Sequence, residues 1–352
     1  MREDTIQRLL DGIRKYGLEN VSTLSKWIDI PVETARYMIW EELPKHSIEV
    51  GVSINLPRIG LGRWLLEVKP ARKSYANSIE ASIKEGAGLM YLARTMPSNT
   101  SYALMGIPFG EERKLKEELD HLRASKVIED YSFEEVEWMR HVSFNPKFYD
   151  FKERKWSFDW RDLERSKEPL LTPYSVDDDQ PPVMDYKDIL ILKELRQRVP
   201  RTLSKLSDTL GFDQHNVRYH YKNHARHAIQ GYYLRLVSSR SEEVRTAFKF
   251  TFEPKNETSL VEARSVALSL PFTTQVWKTE REYSWHMSCP GDFVNGVLSY
   301  VNKKFEDIAG KLRLVLIDAK SEFYGPIPID LFDESTGTWK YEPKLGTQTL
   351  KE

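Results

Sequence analysis

The sequence of 352 residues contains one cysteine, Cys289. An intramolecular disulfide is therefore excluded, as is a zinc site built on paired cysteines. No apolar run approaches the ~20 residues that a membrane-spanning helix needs. Met1-Arg2-Glu3-Asp4 leads straight into an amphipathic stretch with no signal-peptide core, so a cytoplasmic chain with no membrane partner is expected. An excess of either charge is also lacking, because 52 Lys and Arg face 53 Asp and Glu and the formal net charge is −1. A polycation is excluded, and any nucleic-acid footprint must be a local patch. At 40% hydrophobic and 30% charged residues, the chain is not wholly disordered and has length for more than one domain.

Internal correspondence is what the sequence has in plenty. Leu24-Ser25-Lys26-Trp27-Ile28-Asp29-Ile30-Pro31 aligns with Leu206-Ser207-Asp208-Thr209-Leu210-Gly211-Phe212-Asp213 at an offset of 182, without a gap through Ala35-Arg36-Tyr37 and Val217-Arg218-Tyr219. Downstream, Trp64–Pro70 answers to Phe248–Pro254, and each is followed by the order helix, two strands, helix, strand. The expected fold is α+β, with two winged helix-turn-helix domains, each followed by a ferredoxin-like βαββαβ domain. The helix-turn-helix units span 1–56 and 184–240, and the βαββαβ domains 60–143 and 244–320. An aromatic tail and linker fill 144–183, and an aromatic C-terminal tail fills 321–352. Each sheet has helices for one face only, so the two sheets are expected to bury their apolar faces on each other inside one chain.

In the second unit, Leu206 and Leu210 share a helix face, Gly211 suits the left-handed residue that ends it, and Asp213 suits the cap of the next helix. Pro31 replaces that cap in the first unit. Gln214, His215, Asn216, Arg218, Tyr219 and Lys222 are then expected to face outward. Gln214, Asn216 and Arg218 suit base edges, whereas Arg201, Lys205 and Arg226 suit phosphates. The corresponding outward set in the first unit includes Lys26, Thr34, Arg36 and Tyr37. From Lys193 to Arg240, ten basic residues face three acids, a net +7, whereas Met1 to Ile48 carries a net −1. Phosphate neutralisation supplies most non-specific affinity for DNA, so the second unit is expected to be the stronger reader of double-stranded DNA. The rival class is a non-catalytic interaction module that uses the same helices on protein partners.

The pattern Leu206-x3-Leu210-Gly211-x5-Val217 and the turn Pro290-Gly291-Asp292-Phe293 resemble the Lrp/AsnC family of transcription regulators. The likeness in order of elements covers nearly the whole chain. It implies a sequence-specific DNA-binding regulator, a small-molecule effector and oligomerisation through the βαββαβ domains. Two such units in one chain imply an intrachain pseudo-dimer. Siroheme decarboxylases resemble the same family and occur as fused pairs, with a histidine beside tyrosine and arginine in the second strand of the effector domain. Thr274–Arg281 and Tyr91–Met96, the corresponding stretches, hold no histidine, so no catalysis and no cofactor are expected. His220, His224 and His227 share one helix face, but three ligands on a straight helix rarely converge, and no metal is expected. Trp277, Tyr283 and Trp285 are expected to fill the interface between the sheets rather than to stack RNA bases.

Overall fold

The computed structural model describes residues 3–85, 88–165, 184–199, 202–237, 245–343 and 345. Leu9, Leu10 and Ile13 line one face of α1 (Glu3–Tyr16) and are completely buried. α2 (Val21–Trp27) begins at Asn20, whose side chain accepts from the amides of Ser22 and Thr23. α3 (Val32–Tyr37) begins at Pro31 with no side-chain cap. A π-helical turn over Met38–Glu42 and the single turn α4 (Leu43–Lys45) lead to β1 (Ile48–Ile54). Then come β2 (Leu61–Pro70), α5 (Ala76–Glu85), β3 (Leu89–Met96), β4 (Ser101–Pro108), α6 (Glu112–Ala124) and β5 (Ile128–His141). The hairpin β6 (Tyr149–Asp150) and β7 (Lys155–Trp156) and the short α7 (Trp160–Arg165) close this half.

The second half repeats the order. α8 (Tyr186–Gln197) starts with a reciprocal capping box of Asp185 and Asp188. α9 (Leu203–Leu210) ends at Gly211, whose φ of 69° is a left-handed conformation that favours glycine. α10 (Gln214–Asn223) starts at Asp213, which accepts from the amides of His215 and Asn216. β8 (Ile229–Leu236), β9 (Arg245–Pro254), α11 (Glu257–Ser269), β10 (Thr273–Thr279), β11 (Tyr283–Pro290), α12 (Val294–Phe305) and β12 (Gly310–Tyr324) follow. The hairpin β13 (Phe332–Asp333) and β14 (Thr338–Trp339) lies in the C-terminal tail.

The class is mixed α+β with one large antiparallel sheet. The expected stacking of two sheets face to face needs correction. Eight strands form a closed barrel in the order β10-β11-β9-β12-β3-β4-β2-β5. Each half contributes four neighbouring strands, and its two outer strands pair with the other half: β12 with β3, and β5 with β10. Closure satisfies every edge that separate sheets would leave bare. Leu65, Tyr91, Tyr102, Leu104, Val136, Trp277 and Ile317 form one buried cluster with contributions from both halves. An ion pair between Lys249 on β9 and Glu67 on β2 fastens them further, with Lys249 only 3% exposed. Trp277 joins this shared cluster as expected. Tyr283 and Trp285, also buried, instead pack in the cluster that contains Val297, Tyr300 and Val301 of α12, because successive strand residues alternate between faces.

The strands after the recognition-type helices do not form separate wings. β1 and β8 pair antiparallel with each other, Ile48 opposite Leu236 and Val52 opposite Tyr232, and bury Ile48, Val52 and Leu234. Each aromatic tail crosses to the opposite half. Trp156 meets Phe272 with ring centroids 4.8 Å apart, and Phe158 stacks on Phe293 at 5.4 Å. Tyr341 and Leu345 join the cluster of Ile83, Leu115 and Leu119 in the first half, and Trp339 Nε1 donates to the Ile59 carbonyl at 2.6 Å. The proline-rich stretch expected as a linker lies outside the described residues. Among the described residues, no helix is long and apolar enough to cross a membrane.

Candidate active site

Strand register decides which side chains share a face. Lys249 lies opposite His286, His286 opposite Gln275, and Gln275 opposite His141. These four polar residues form one row across β9, β11, β10 and β5. The corresponding row is Leu65, Leu104 and Tyr91 on β2, β4 and β3 of the first half, continued by Tyr324 on β12 of the second. Between the barrel and the β1–β8 ribbon lies a cavity of about 490 Å³. It is lined by His141, Gln275 and His286 of the first row, by Leu104, Tyr91 and Tyr324 of the second, and by Arg63, Arg196, Arg235, Arg245 and Glu322. This volume falls within the ~300–1,000 Å³ usual for small-molecule sites.

Two guanidinium groups lack counter-charges. Arg63 is 8% exposed, and its polar contact is the Asn55 side chain at 3.5 Å. Arg196 donates to the Gly325 carbonyl at 2.8 Å and to that of Met90 at 3.5 Å. Among the described residues no carboxylate forms an ion pair with either, and burial pushes the pKa of each down to about 10. Both still carry their charge at neutral pH. Arg235, by contrast, is paired with Glu49.

The two imidazoles are held neutral. Gln275 Nε2 donates to His141 Nε2 at 2.8 Å, which leaves Nδ1–H directed at Ser53 Oγ, 3.4 Å away. The ring stacks on Tyr233 with centroids 4.3 Å apart. Burial, then Arg196, Arg235 and Arg63, push the pKa of His141 down to about 3. His286 is 5% exposed, and burial pushes its pKa down to about 4. Its Nδ1 donates to Thr274 Oγ1 at 3.0 Å, and that hydroxyl donates to the His286 carbonyl at 3.2 Å. Nε2 is then a buried lone pair with no hydrogen-bond partner, 3.6 Å from Glu322 Oε1. Glu322 Oε1 accepts from Tyr91 at 2.7 Å and from Tyr324 at 3.2 Å, and Tyr102 donates to the Tyr91 hydroxyl at 3.2 Å. Burial raises the Glu322 pKa. The cavity therefore joins fixed positive charge to a carboxyl, phenols and an unpartnered imidazole nitrogen, a set able to bind an anion and move a proton.

These histidines make the fold acid-labile. Their folded pKa values lie below the ordinary 6.5, so the unfolded chain binds more protons as pH falls. Stability should be unaffected by them above about pH 6.5 and should then drop by about 1.4 kcal/mol per pH unit for each histidine, down to about pH 4 for His286 and about pH 3 for His141. Urea midpoints at pH 7 and pH 5 measure this, and His286→Gln should remove about half the loss. Identical midpoints for the unaltered chain at both pH values would contradict neutral, buried imidazoles.

Of the thirteen DNA-contact residues expected from sequence, the twelve that are described do not line this cavity. Gln214, His215, Arg218, Tyr219 and Lys222 are exposed on α10, but Asn216 is half-buried, and its Oδ1 is sealed without a partner. That oxygen cannot meet a base edge, because the side chain folds inward. Lys205 is exposed 3.6 Å from Asp208, and Arg226 lies 3.7 Å from Glu19 of the first half. In the first unit Lys26 is exposed and Thr34 half-buried. Arg36 is bonded to Glu33 at 2.7 Å, and Tyr37 to Glu42 at 2.6 Å. Arg201 lies outside the described residues. Sequence reasoning missed His141 and His286. Its signal was an ionisable residue inside an apolar strand, Trp285-His286-Met287 above all.

A closed barrel assembled from two like halves, with paired helical units beside it, defines the class of fold. No family model matches the sequence, and no curated protein does. Among solved structures, the siroheme decarboxylase NirDL matches at a TM-score of 0.54 and 11% identity, over 90% of this chain and 92% of that one. The same enzyme in complex with an iron-uroporphyrin III analogue matches at 0.53 over the same shares and at the same identity. An AsnC-family transcriptional regulator from Pyrococcus furiosus matches over 40% of this chain and 92% of its own, at 13% identity and a TM-score of 0.31. The likeness over nearly the whole chain is thus to the fold of an enzyme, and it overturns the expectation that the chain has no catalytic role. That expectation rested on a missing histidine in the second strand of each half. Here the imidazoles come from the third strand of one half and the fourth of the other.

Proposed function

We propose that the chain is an enzyme that decarboxylates an acidic tetrapyrrole held in the barrel cavity. The observation that carries this reading is the pair of desolvated guanidinium groups, buried Arg63 and half-buried Arg196, beside the unpartnered Nε2 of His286. Buried cations without counter-charges call for an anionic ligand. Uroporphyrin-type macrocycles present carboxylates around a flat apolar ring, and the cavity offers arginines beside Met90, Leu104, Met139 and Phe144. The likeness to a siroheme decarboxylase fold supports the same choice. In such a step the bond between a side-chain methylene and its carboxylate carbon breaks, carbon dioxide leaves, and the electron pair delocalises into the ring. A proton then converts the methylene to methyl. Arg63 and Arg196 would hold carboxylates that are retained. Glu322, its pKa raised by burial and fed by the Tyr102–Tyr91 hydroxyls, would supply the proton through or beside His286. The test is to add siroheme to the purified chain and follow absorption and product mass. Stoichiometric binding with loss of carbon dioxide is expected, and an unchanged spectrum with unchanged mass would refute the proposal.

A second reading, duplex DNA binding, is favoured by the exposed face of α10. Among the described residues Arg218 and Lys222 are in no ion pair, whereas Arg36 is held by Glu33. Replacing Arg218 and Lys222 by Ala should weaken binding to a random duplex and reduce the magnitude of the salt slope by roughly 2. Replacing Lys26 and Arg36 should have a smaller effect. Equal losses from both pairs, or no duplex binding at all, would remove this reading.

A further inference from the structure

The second helical unit holds a cluster that lies apart from the barrel cavity. We propose that Asp188, His220 and His224 form a binding site for one divalent first-row transition cation. His220 and His224 are one turn apart on α10, and α8 brings Asp188 to both. Asp188 Oδ1 lies 2.9 Å from His220 Nδ1, and Oδ2 lies 3.0 Å from His224 Nδ1. The three donor atoms all fall within 4.8 Å of one another. Metal–ligand distances of about 2.0–2.2 Å in a tetrahedral shell place donors roughly 3.3–3.6 Å apart, so small side-chain movements would admit the ion. Two imidazoles and one carboxylate form a donor set that suits zinc or ferrous iron.

Charge and burial argue in the same direction. The Asp188 side chain is wholly buried, and a second carboxylate, Asp185, comes within 3.5 Å of His220 Nδ1. Among the described residues no lysine or arginine pairs with either acid. Without metal, each Nδ1–H donates to the carboxylate. With metal on Nδ1, the single proton of each neutral ring sits on Nε2 instead. His227, which shares the helix face in sequence, is exposed and lies outside the cluster. The ligand from a second helix is what three histidines on a single helix lack.

The experiment uses the full chain, stripped with a chelator and titrated with zinc chloride by calorimetry, with cobalt(II) absorption as a second readout. One equivalent of zinc is expected to bind, with a raised thermal midpoint. His224→Ala alters a half-buried position, and in a chain whose circular dichroism is unchanged it should weaken binding at least tenfold and abolish the tetrahedral cobalt bands. His227→Ala should leave both readouts unchanged. A His141→Ala/His286→Ala chain should still bind, which separates this site from the cavity. Absence of stoichiometric zinc binding, or binding that survives His224→Ala, would overturn the proposal.

Discussion

Replacing Arg63 and Arg196 together by methionine should produce a chain that is more stable and yet holds no acidic tetrapyrrole. Stability and binding are expected to move in opposite directions because each guanidinium is charged, desolvated and without a carboxylate partner. Even paired buried charges, when exchanged for apolar groups of similar volume, often leave a protein about 1–4 kcal/mol more stable, and unpaired ones have more to gain. Methionine fills the space without the charge. Affinity, in contrast, should fall by at least ~100-fold, since two charge-assisted contacts are lost at about 1.5–3 kcal/mol each. Urea melts and spectroscopic titration of the two chains measure both quantities. A variant that is less stable and still binds would show that these arginines serve the fold rather than the ligand.

His286→Ala should have the larger effect on turnover. A positioned acid or base contributes typically ~10²–10⁴-fold, and Nε2 of His286 has no structural bond to lose. Turnover should fall by that factor with tetrapyrrole affinity little changed. Glu322→Gln keeps the hydrogen bonds from Tyr91 and Tyr324 but cannot release a proton. It should lower turnover as well, and it should erase one limb of the pH–rate profile. If His286→Ala turns over within a few-fold of the unaltered chain, the proton passes by another route.

What was legible in the sequence was mostly local. Gly211 ends α9 and Asp213 caps α10 because the forces that select them act within four residues. The outward positions Arg218 and Lys222 follow from helical periodicity alone, whereas Asn216 does not, because its burial depends on what packs against α10. The pairing of β5 with β10 and of β12 with β3 was not legible. Such edges form between strands far apart in the chain, and nothing in either strand names its partner. The row that lines the cavity inherits that difficulty. His141 meets Gln275 only because of this pairing, whereas His286 faces it across the adjacent β10–β11 hairpin, and neither lies in the strand that was searched for histidine. Charge counting drew attention to α10, while the arginines of the cavity, Arg63 and Arg196, were hidden among ordinary strand and helix residues.

The difference between the two rows has a consequence for selectivity. One row joins Lys249, His286 and Gln275 of the second half to His141 of the first, and the other joins Leu65, Leu104 and Tyr91 of the first half to Tyr324 of the second. Two identical subunits meeting on a two-fold axis would offer a flat ligand the same wall on both sides, and it would seat equally well in either of two flipped orientations. One continuous chain can let its walls diverge. The cavity then has a left and a right, and a macrocycle whose edges differ only in the order of their substituents meets imidazole on one side and phenol on the other. The chemistry would fall on one edge, visible as a single product isomer rather than a pair.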